Sequence, residues 1–329
     1  MNTDNKANTT VEVETTSAAD IQTRPINWLW APYLPIGTAS VLFGEGGDGK
    51  SFASLAIAAA ISNGTLLPGM TEPFPASDVI VQNAENGWAQ VIKPRLEMLG
   101  ADCARIHRIN ETDKPLTLAD DRIEAAIVKT GARLFICDPI QSHLPPSMSM
   151  GRAESIRPML THLERVAERT GCCVLLIGHV TKSRGNAQHR GLGSVDIVNS
   201  VPSVLFLGRA EGYDRDVRII AHGKANFSEQ GASQMFRLNK SDGFKWVGEC
   251  DATPDDILNF SASKAREDKN KVDEAADFLT ELLSEGDVPA NEAIELADEA
   301  GISKRTLERA RAALDVKAKR VDGHWVWSM

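Results

Sequence analysis

The sequence predicts an α/β fold, a mostly parallel central sheet layered with helices, followed by a small α+β unit at the C-terminus. Three observations carry this. Short, continuous apolar runs recur along the first three quarters of the chain, separated by helix-periodic segments. A glycine-rich octapeptide joins one of those runs to an alanine-rich helical pattern. After a charged stretch, three helical patterns and an aromatic tail close the chain.

Residues 1–24 are polar and nearly free of large apolar groups. They are expected to be a disordered tail, since they cannot bury the surface that ordering requires. Order is expected from about Ile26, where Trp28, Leu29 and Trp30 cluster. The apolar runs are TASVLFG (38–44), DVIVQNAE (78–85), ARLFICD (132–138), CCVLLIGH (172–179), PSVLFLG (202–208) and VRIIAHG (217–223). None alternates with polar residues, which suits strands covered on both faces of a parallel sheet. Helical patterns at 51–63, 120–130 and 152–170 lie between several of them. The segment 233–250 alternates around Ser241-Asp242-Gly243 and reads as a hairpin. One domain over 25–250 follows, then a linker over 251–270, where ASKAREDKNK (262–271) is charged and weakly apolar. Residues 271–329 form the second unit.

Acidic residues number 45 against 36 Lys and Arg, a formal charge of -9. That excludes a surface uniformly coated for nucleic acid, but not local basic patches. The five cysteines form no CxxC pair and mostly sit in apolar runs. They read as buried thiols of a reducing cytoplasm, not a disulfide frame or zinc site. No apolar stretch nears the ~18 residues that a membrane span needs, and the N-terminus lacks the apolar core of a signal peptide. A cytoplasmic location with no membrane partner is expected.

Gly44-Glu45-Gly46-Gly47-Asp48-Gly49-Lys50-Ser51 fits G-x-x-x-x-G-K-[ST], between the run 39–43 and the helical pattern that opens at Phe52. Glycines let backbone N–H groups turn inward around phosphates, and the helix start adds its positive dipole end. Lys50 supplies charge to the β/γ-phosphates of ATP, and Ser51 offers a hydroxyl to Mg²⁺. Asp138, ending its run, is placed to join the metal shell. Glu85, just past the run 78–83, can orient and polarise water, provided its strand neighbours the loop strand. Asp138 is the competing base. His179 ends a further run and is placed to contact the γ-phosphate, or else is structural. The following loop, 181–194, is long and basic, with Lys182, Arg184 and Arg190, and suits a nucleic-acid backbone or simple solvation.

The ordered set GEGGDGKS, NAE, FICD, IGHVTKS, RGLGS and HGKANF, over about residues 25–250, resembles the RecA-type ATPase core of RepA-like replicative helicases. It is more distantly similar to DnaB-type helicases. The resemblance implies a RecA-like P-loop NTPase core and a ring-shaped, hexameric homo-oligomer acting on single-stranded DNA. It implies catalytic roles for Lys50, Glu85, His179 and Lys224, with Lys224 a basic finger reaching the neighbouring subunit's ATP site and Arg218 a second candidate. The chain departs from the family in Asn86 after Glu85, and in His222 where DnaB-type proteins carry a lysine.

In the C-terminal unit, Val272, Ala275, Ala276, Leu279 and Leu283 have helical spacing. A second helix is expected over 291–300, broken by Gly301, and a third capped by Ser303. Leu296, Ala297, Ile302, Leu307 and Leu314 are the expected core. The third helix displays Lys304, Arg305, Arg309 and Arg311, and Asp322-Gly323 reads as the turn of a wing hairpin. The pattern resembles a winged-helix module, implying contact with DNA, duplex included. A docking or oligomerisation module is the alternative. For the whole chain, the helicase reading stands beside a DNA-binding replication regulator and a RecA-like recombination mediator.

Overall fold

The structure, a computed structural model, describes residues 14–329 except 113, 146–152, 181–194, 240, 285, 322–323 and 329. Residues 14–27 are all exposed and hold one 3₁₀ turn, Ala18–Asp20, capped by the Ser17 hydroxyl. A short hairpin of β1 (Trp28–Trp30) and β2 (Leu34–Pro35) follows. The main sheet is built from β3 (Ala39–Gly44), β4 (Val79–Asn83), β5 (Ile106–His107), β6 (Leu134–Asp138), β7 (Cys173–His179), β8 (Ser203–Gly208), β9 (Val217–Ala225), β10 (Ser233–Asn239) and β11 (Gly243–Cys250). Its order is β11-β10-β9-β8-β3-β7-β6-β4-β5. The strands from β8 to β5 are parallel, and β9, β10 and β11 extend one edge as an antiparallel meander.

The continuous apolar runs are explained by cover on both faces. Val41 and Phe43 pack with Phe135, Leu163 and Val174 on one side, while Leu42 packs with Ile57, Ile61 and Leu96 on the other. The first side is roofed by α3 (Arg122–Thr130) and α4 (Ala153–Thr170), the second by α1 (Lys50–Asn63) and α2 (Lys93–Met98). The run 217–223, expected among the parallel strands, is antiparallel to β8. Only residues 209–216 join the two, and a parallel return needs about a dozen or more. A short helix, α5 (Val195–Ser200), precedes β8.

Of the stretch 251–270, expected as a linker, residues 254–270 belong to a continuous helix, α6 (Pro254–Leu283). Its start is strongly specified. Thr253 and Asp256 form a reciprocal capping box, and Pro254 occupies the first turn, where its missing N–H costs nothing. No glycine or further proline interrupts it. Ile257 near its start packs into the main core, while Ala275, Leu279 and Leu283 near its end join a second cluster.

That second cluster adds α7 (Ala290–Glu299), α8 (Lys304–Ala313) and a small antiparallel sheet of β12 (Val288–Pro289), β13 (Lys317–Val321) and β14 (His324–Ser328), ordered β12-β14-β13. Ala293, Ala297, Leu307, Ala310 and Trp327 are its buried centre. Ser303 caps α8 by accepting the Thr306 N–H. Of the expected core, Ala297 and Leu307 are buried, Ile302 and Leu314 are partly buried, and Leu296 is half-buried outside the cluster; the expected turn at 322–323 lies outside the described residues.

Candidate nucleotide site

The site forms where β3, β7, β6 and β4 end at one edge of the sheet. β3 closes on Gly44, where a Cβ would stand 2.4 Å from the Leu207 carbonyl oxygen, so only glycine fits. Gly47 and Gly49 have φ of 84° and 98°, a conformation that glycine adopts at least cost. Added Cβ atoms at Gly46 and Gly47 would meet nothing within 4 Å, so the loop faces open space. α1 begins immediately, with Gly49 at its N-cap offering no side chain to the first-turn N–H groups. Those amides remain for ligand oxygens.

Lys50 is 5% exposed. Its Nζ donates to the Gly44 and Glu45 carbonyls at 2.8 and 2.7 Å and lies 3.1 Å from His179 Nδ1. Burial pushes its pKa down, against the opposing pull of Asp138, Asp48, Glu85 and Glu45. An ammonium can only donate, so Nδ1 accepts. The neutral ring then carries its proton on Nε2, which faces Glu85 Oε1 at 3.7 Å. Lys50, His179 and Glu85 thus form a line from the phosphate loop to a half-exposed carboxylate.

Asp138 ends β6 and is also 5% exposed. Burial raises its pKa, the Ser51 hydroxyl bond opposes the rise, and the nearby Glu85 charge reinforces it. Asn83 Nδ2 donates to Asp138 Oδ2 at 3.0 Å, and Asn83 Oδ1 accepts the Asn86 N–H at 2.8 Å. One amide therefore ties Asp138 to the turn that carries Glu85. Asn83 was not singled out from the sequence. Its signal was its place as the first residue of the NAE motif, at the polar end of an apolar run.

The proviso that the Glu85 strand neighbours the loop strand is not met, because β7 and β6 stand between β3 and β4. Glu85 reaches the site from the turn beyond β4, and β7 brings His179 into the gap. Among the other loop residues, Glu45 and Asp48 act on Lys50 electrostatically. Phe52 carries the Arg95 guanidinium 4.4 Å over its ring. It also borders a cleft of about 660 Å³ with Met98, Leu238, Asn239, Ser241 and Gly243.

Lys224 is not at this site. Its Nζ donates to the carbonyls of Val198 and Val201, both at 2.8 Å, and of Asn199 at 3.3 Å, closing the C-terminal end of α5. A cation there satisfies helix carbonyls and complements their dipole. Arg218 is buried, donating to the Arg215 and Val217 carbonyls at 2.8 and 3.0 Å. Burial and then Arg209 lower its pKa, while Asp48 of the phosphate loop opposes this.

His222 is an internal structural group. Its Nδ1 accepts the Gly231 N–H at 3.1 Å and its Nε2 lies 3.2 Å from the Ser203 hydroxyl, which donates to the Tyr33 carbonyl at 2.6 Å. Burial lowers its pKa below the ordinary 6.5. Protons then bind the unfolded chain more readily, so stability is full above about 6.5 and is lost as pH falls toward the depressed folded value. The thermal midpoint of the wild type is expected to fall between pH 7 and 5, and that of His222→Gln to fall less steeply.

Of the expected DNA-contact residues, Lys182, Arg184 and Arg190 lie outside the described residues. Lys304, Arg305 and Arg309 are exposed on α8. Arg311 is partly withdrawn, its guanidinium 5.0 Å over the Trp327 ring and 3.3 Å from Glu308. Cys137, Cys172 and Cys173 are buried free thiols, with Cys172 pushed by burial to about 12, whereas Cys103 and Cys250 are half-buried. Among the described residues no His, Cys, Asp and Glu cluster has metal-ligand geometry. No helix there is long and apolar enough to cross a membrane.

A family model described as an AAA domain matches residues 7–185, more than half the chain. The chain belongs to this AAA domain family. The match to these RecA-like P-loop ATPases takes in Lys50, Ser51, Glu85, Asp138 and His179, the residues that converge at the sheet edge. Two curated relatives are named DNA repair protein RadA. That of Halalkalibacterium halodurans is 24% identical over 230 residues, covering 69% of this chain and 45% of that protein. That of Bacillus subtilis is 24% identical over 202 residues, covering 60% and 39%. The chain spans less than half the length of the relatives it matches.

Proposed function

We propose that this AAA-family chain is an ATP-hydrolysing DNA helicase or translocase of the RepA-like type, working as a hexameric ring on single-stranded DNA. The observation that carries the ATPase part is the convergence of Lys50, His179, Glu85 and Asp138 on one sheet edge beside an open glycine loop. The loop fits a nucleotide, with free first-turn amides and a buried cation beside open space. Ser51 and Asp138, an all-oxygen pair, fit Mg²⁺. The metal would supply charge neutralisation on the phosphoryl oxygens. Lys50 and the amides hold the phosphates, and Glu85 orients the attacking water. His179 sits between Lys50 and Glu85, where it can report the state of the phosphate end.

The DNA part is supported by the exposed Lys304, Arg305 and Arg309 on the second of two short helices flanked by a small sheet, which we read as a winged helix. The names of the RadA relatives point the same way. For Lys224 to complete a neighbour's site it would have to leave three carbonyls of its own chain, and Arg218 would have to leave two.

The test is ATP turnover with and without single-stranded DNA, paired with native mass measurement in ATP. Turnover is expected to rise several-fold with the DNA, and a six-subunit mass to dominate. Turnover indifferent to every DNA would sink the reading. The RadA names favour one second reading, a recombination mediator that forms filaments. It predicts open filaments in particle images and no unwinding of a forked duplex.

A further inference from the structure

We propose that Trp325 is a nucleobase-stacking residue, which makes the β13–β14 ribbon a site for single-stranded nucleic acid. The inference rests on the reading that the C-terminal unit contacts DNA, and it assigns a ligand chemistry to a part of that unit outside α8.

Trp325 is 58% exposed, whereas Trp30 and Trp327 are buried and Trp28, Trp88 and Trp246 are half-buried. Its placement along β14 is informative. Residues two apart on a strand share a face, so Trp325 and Trp327 stand on the same side of the small sheet. Trp327 is 2% exposed, packed in the core and covered by Arg311. Trp325 continues that line of aromatic surface beyond the core. Folding gains nothing from an indole left in water, and a large amphipathic ring is the side chain most often kept at recognition surfaces.

The surrounding charge selects the partner. Trp325 is paired directly with Arg320 across the ladder, and Lys319 pairs with Val326. Lys317, Lys319 and Arg320 are all exposed on β13; Arg320 shares the Trp325 face, and the two lysines stand on the opposite face of this narrow ribbon. Lys317 and Lys319 touch Asp315 and Asp287 at 2.5 and 2.7 Å, and exposed pairs of this kind are worth at most ~1 kcal/mol, so phosphates can displace them. Residues 301–320 contain seven basic and two acidic side chains. A flat π-face with a guanidinium directly across the ladder, on a ribbon whose other face carries two lysines, matches a strand whose bases are free to unstack and whose backbone is polyanionic. A duplex hides its base faces, and an acidic protein partner would use the cations without needing the indole.

The experiment measures binding of a fluorescent dT₂₀ strand and of a 20-base-pair duplex by the full chain across a salt series. Trp325→Ala is expected to weaken dT₂₀ binding about tenfold, within the ~1–3 kcal/mol that one stacked base contributes. Duplex affinity should hold. Trp325→Phe, which keeps a π-face, should recover most of the loss. The dependence of log affinity on log salt should keep its slope in both variants, since no phosphate contact is removed, whereas Lys304→Ala with Arg305→Ala should flatten it. An exposed ring can be removed without unfolding, which the thermal midpoint of each variant checks. Trp325→Ala binding dT₂₀ like wild type, an equal loss on the duplex, or a Phe variant as weak as the Ala variant each overturns the stacking role while the DNA reading stands. A wild-type chain that binds neither DNA defeats both.

Discussion

Glu85→Gln is expected to lower ATP turnover by about 10²- to 10⁴-fold, the range that a positioned general base contributes, with nucleotide affinity retained. The substitution keeps the shape of the side chain and its reach toward His179 Nε2, 3.7 Å away, and removes the charge that polarises water. Affinity should hold because the groups that face the phosphates belong to other elements: Lys50 and the α1 amides. Single-turnover quenched flow, with the protein in excess of ATP and Mg²⁺ saturating, separates chemistry from product release. Equilibrium titration with a fluorescent ATP analogue reads binding. The competing base, Asp138, is buried and already engaged by Ser51 and Asn83. A carboxylate held that way suits metal binding better than proton abstraction, because water must reach a base and Glu85 is the acid with open access. Turnover unchanged in Glu85→Gln would transfer the base role to Asp138. The loss of nucleotide binding together with turnover would show instead that Glu85 holds the His179–Lys50 line in place.

How far the site was legible follows from which interactions are local in sequence. The phosphate loop is a contiguous octapeptide between a strand and a helix, so its glycines, Lys50 and Ser51 could be read directly. Asp138 and His179 were legible because a strand buried on both faces is a continuous apolar run and its end marks the sheet edge. The order of strands is a long-range property, and no local pattern says that β7 separates β3 from β6. Glu85 was therefore tied to a strand adjacency that does not exist. Asn83 was missed for the same reason, since its partner Asp138 is remote in sequence and adjacent only through the β4–β6 ladder. Lys224 and His222 were read through a resemblance. Their positions in the fold reflect helix-end carbonyls and a buried hydroxyl network, which leave no trace in the KAN segment. The misread linker is a different case. The linker reading rested on the low apolar content of 262–271 alone and did not use the Thr253–Asp256 capping box that starts the helix. A helix needs few apolar positions along a middle stretch when only its first turn and its last three turns reach a core.

Lys50→Ala is expected to cut turnover at least as deeply and, unlike Glu85→Gln, to weaken nucleotide binding. Removing one charged donor from a phosphoryl-transfer site costs about 10²- to 10³-fold in rate. Here the loss should propagate. The same amine satisfies the Gly44 and Glu45 carbonyls and fixes Nδ1 of His179 as an acceptor. Without it the two carbonyls have no side-chain donor, and the imidazole is free to place its proton on Nδ1, turning an acceptor nitrogen toward the Glu85 carboxylate. The alanine variant should therefore lose the His179–Glu85 contact as well as the cation. Lys50→Arg separates the two effects. It restores a cation and donors to the loop, but the planar guanidinium cannot reproduce a point ammonium between two carbonyls and a ring nitrogen. Arginine should recover part of the binding and little of the turnover. Titration with a fluorescent ATP analogue beside steady-state hydrolysis reads the split, and an alanine variant that binds ATP as tightly as wild type would overturn the assignment of the phosphate loop. Nitrogen NMR of His179 in the wild type and the alanine variant reads the tautomer directly, and an unchanged Nε2–H signal would show that Lys50 does not orient the ring.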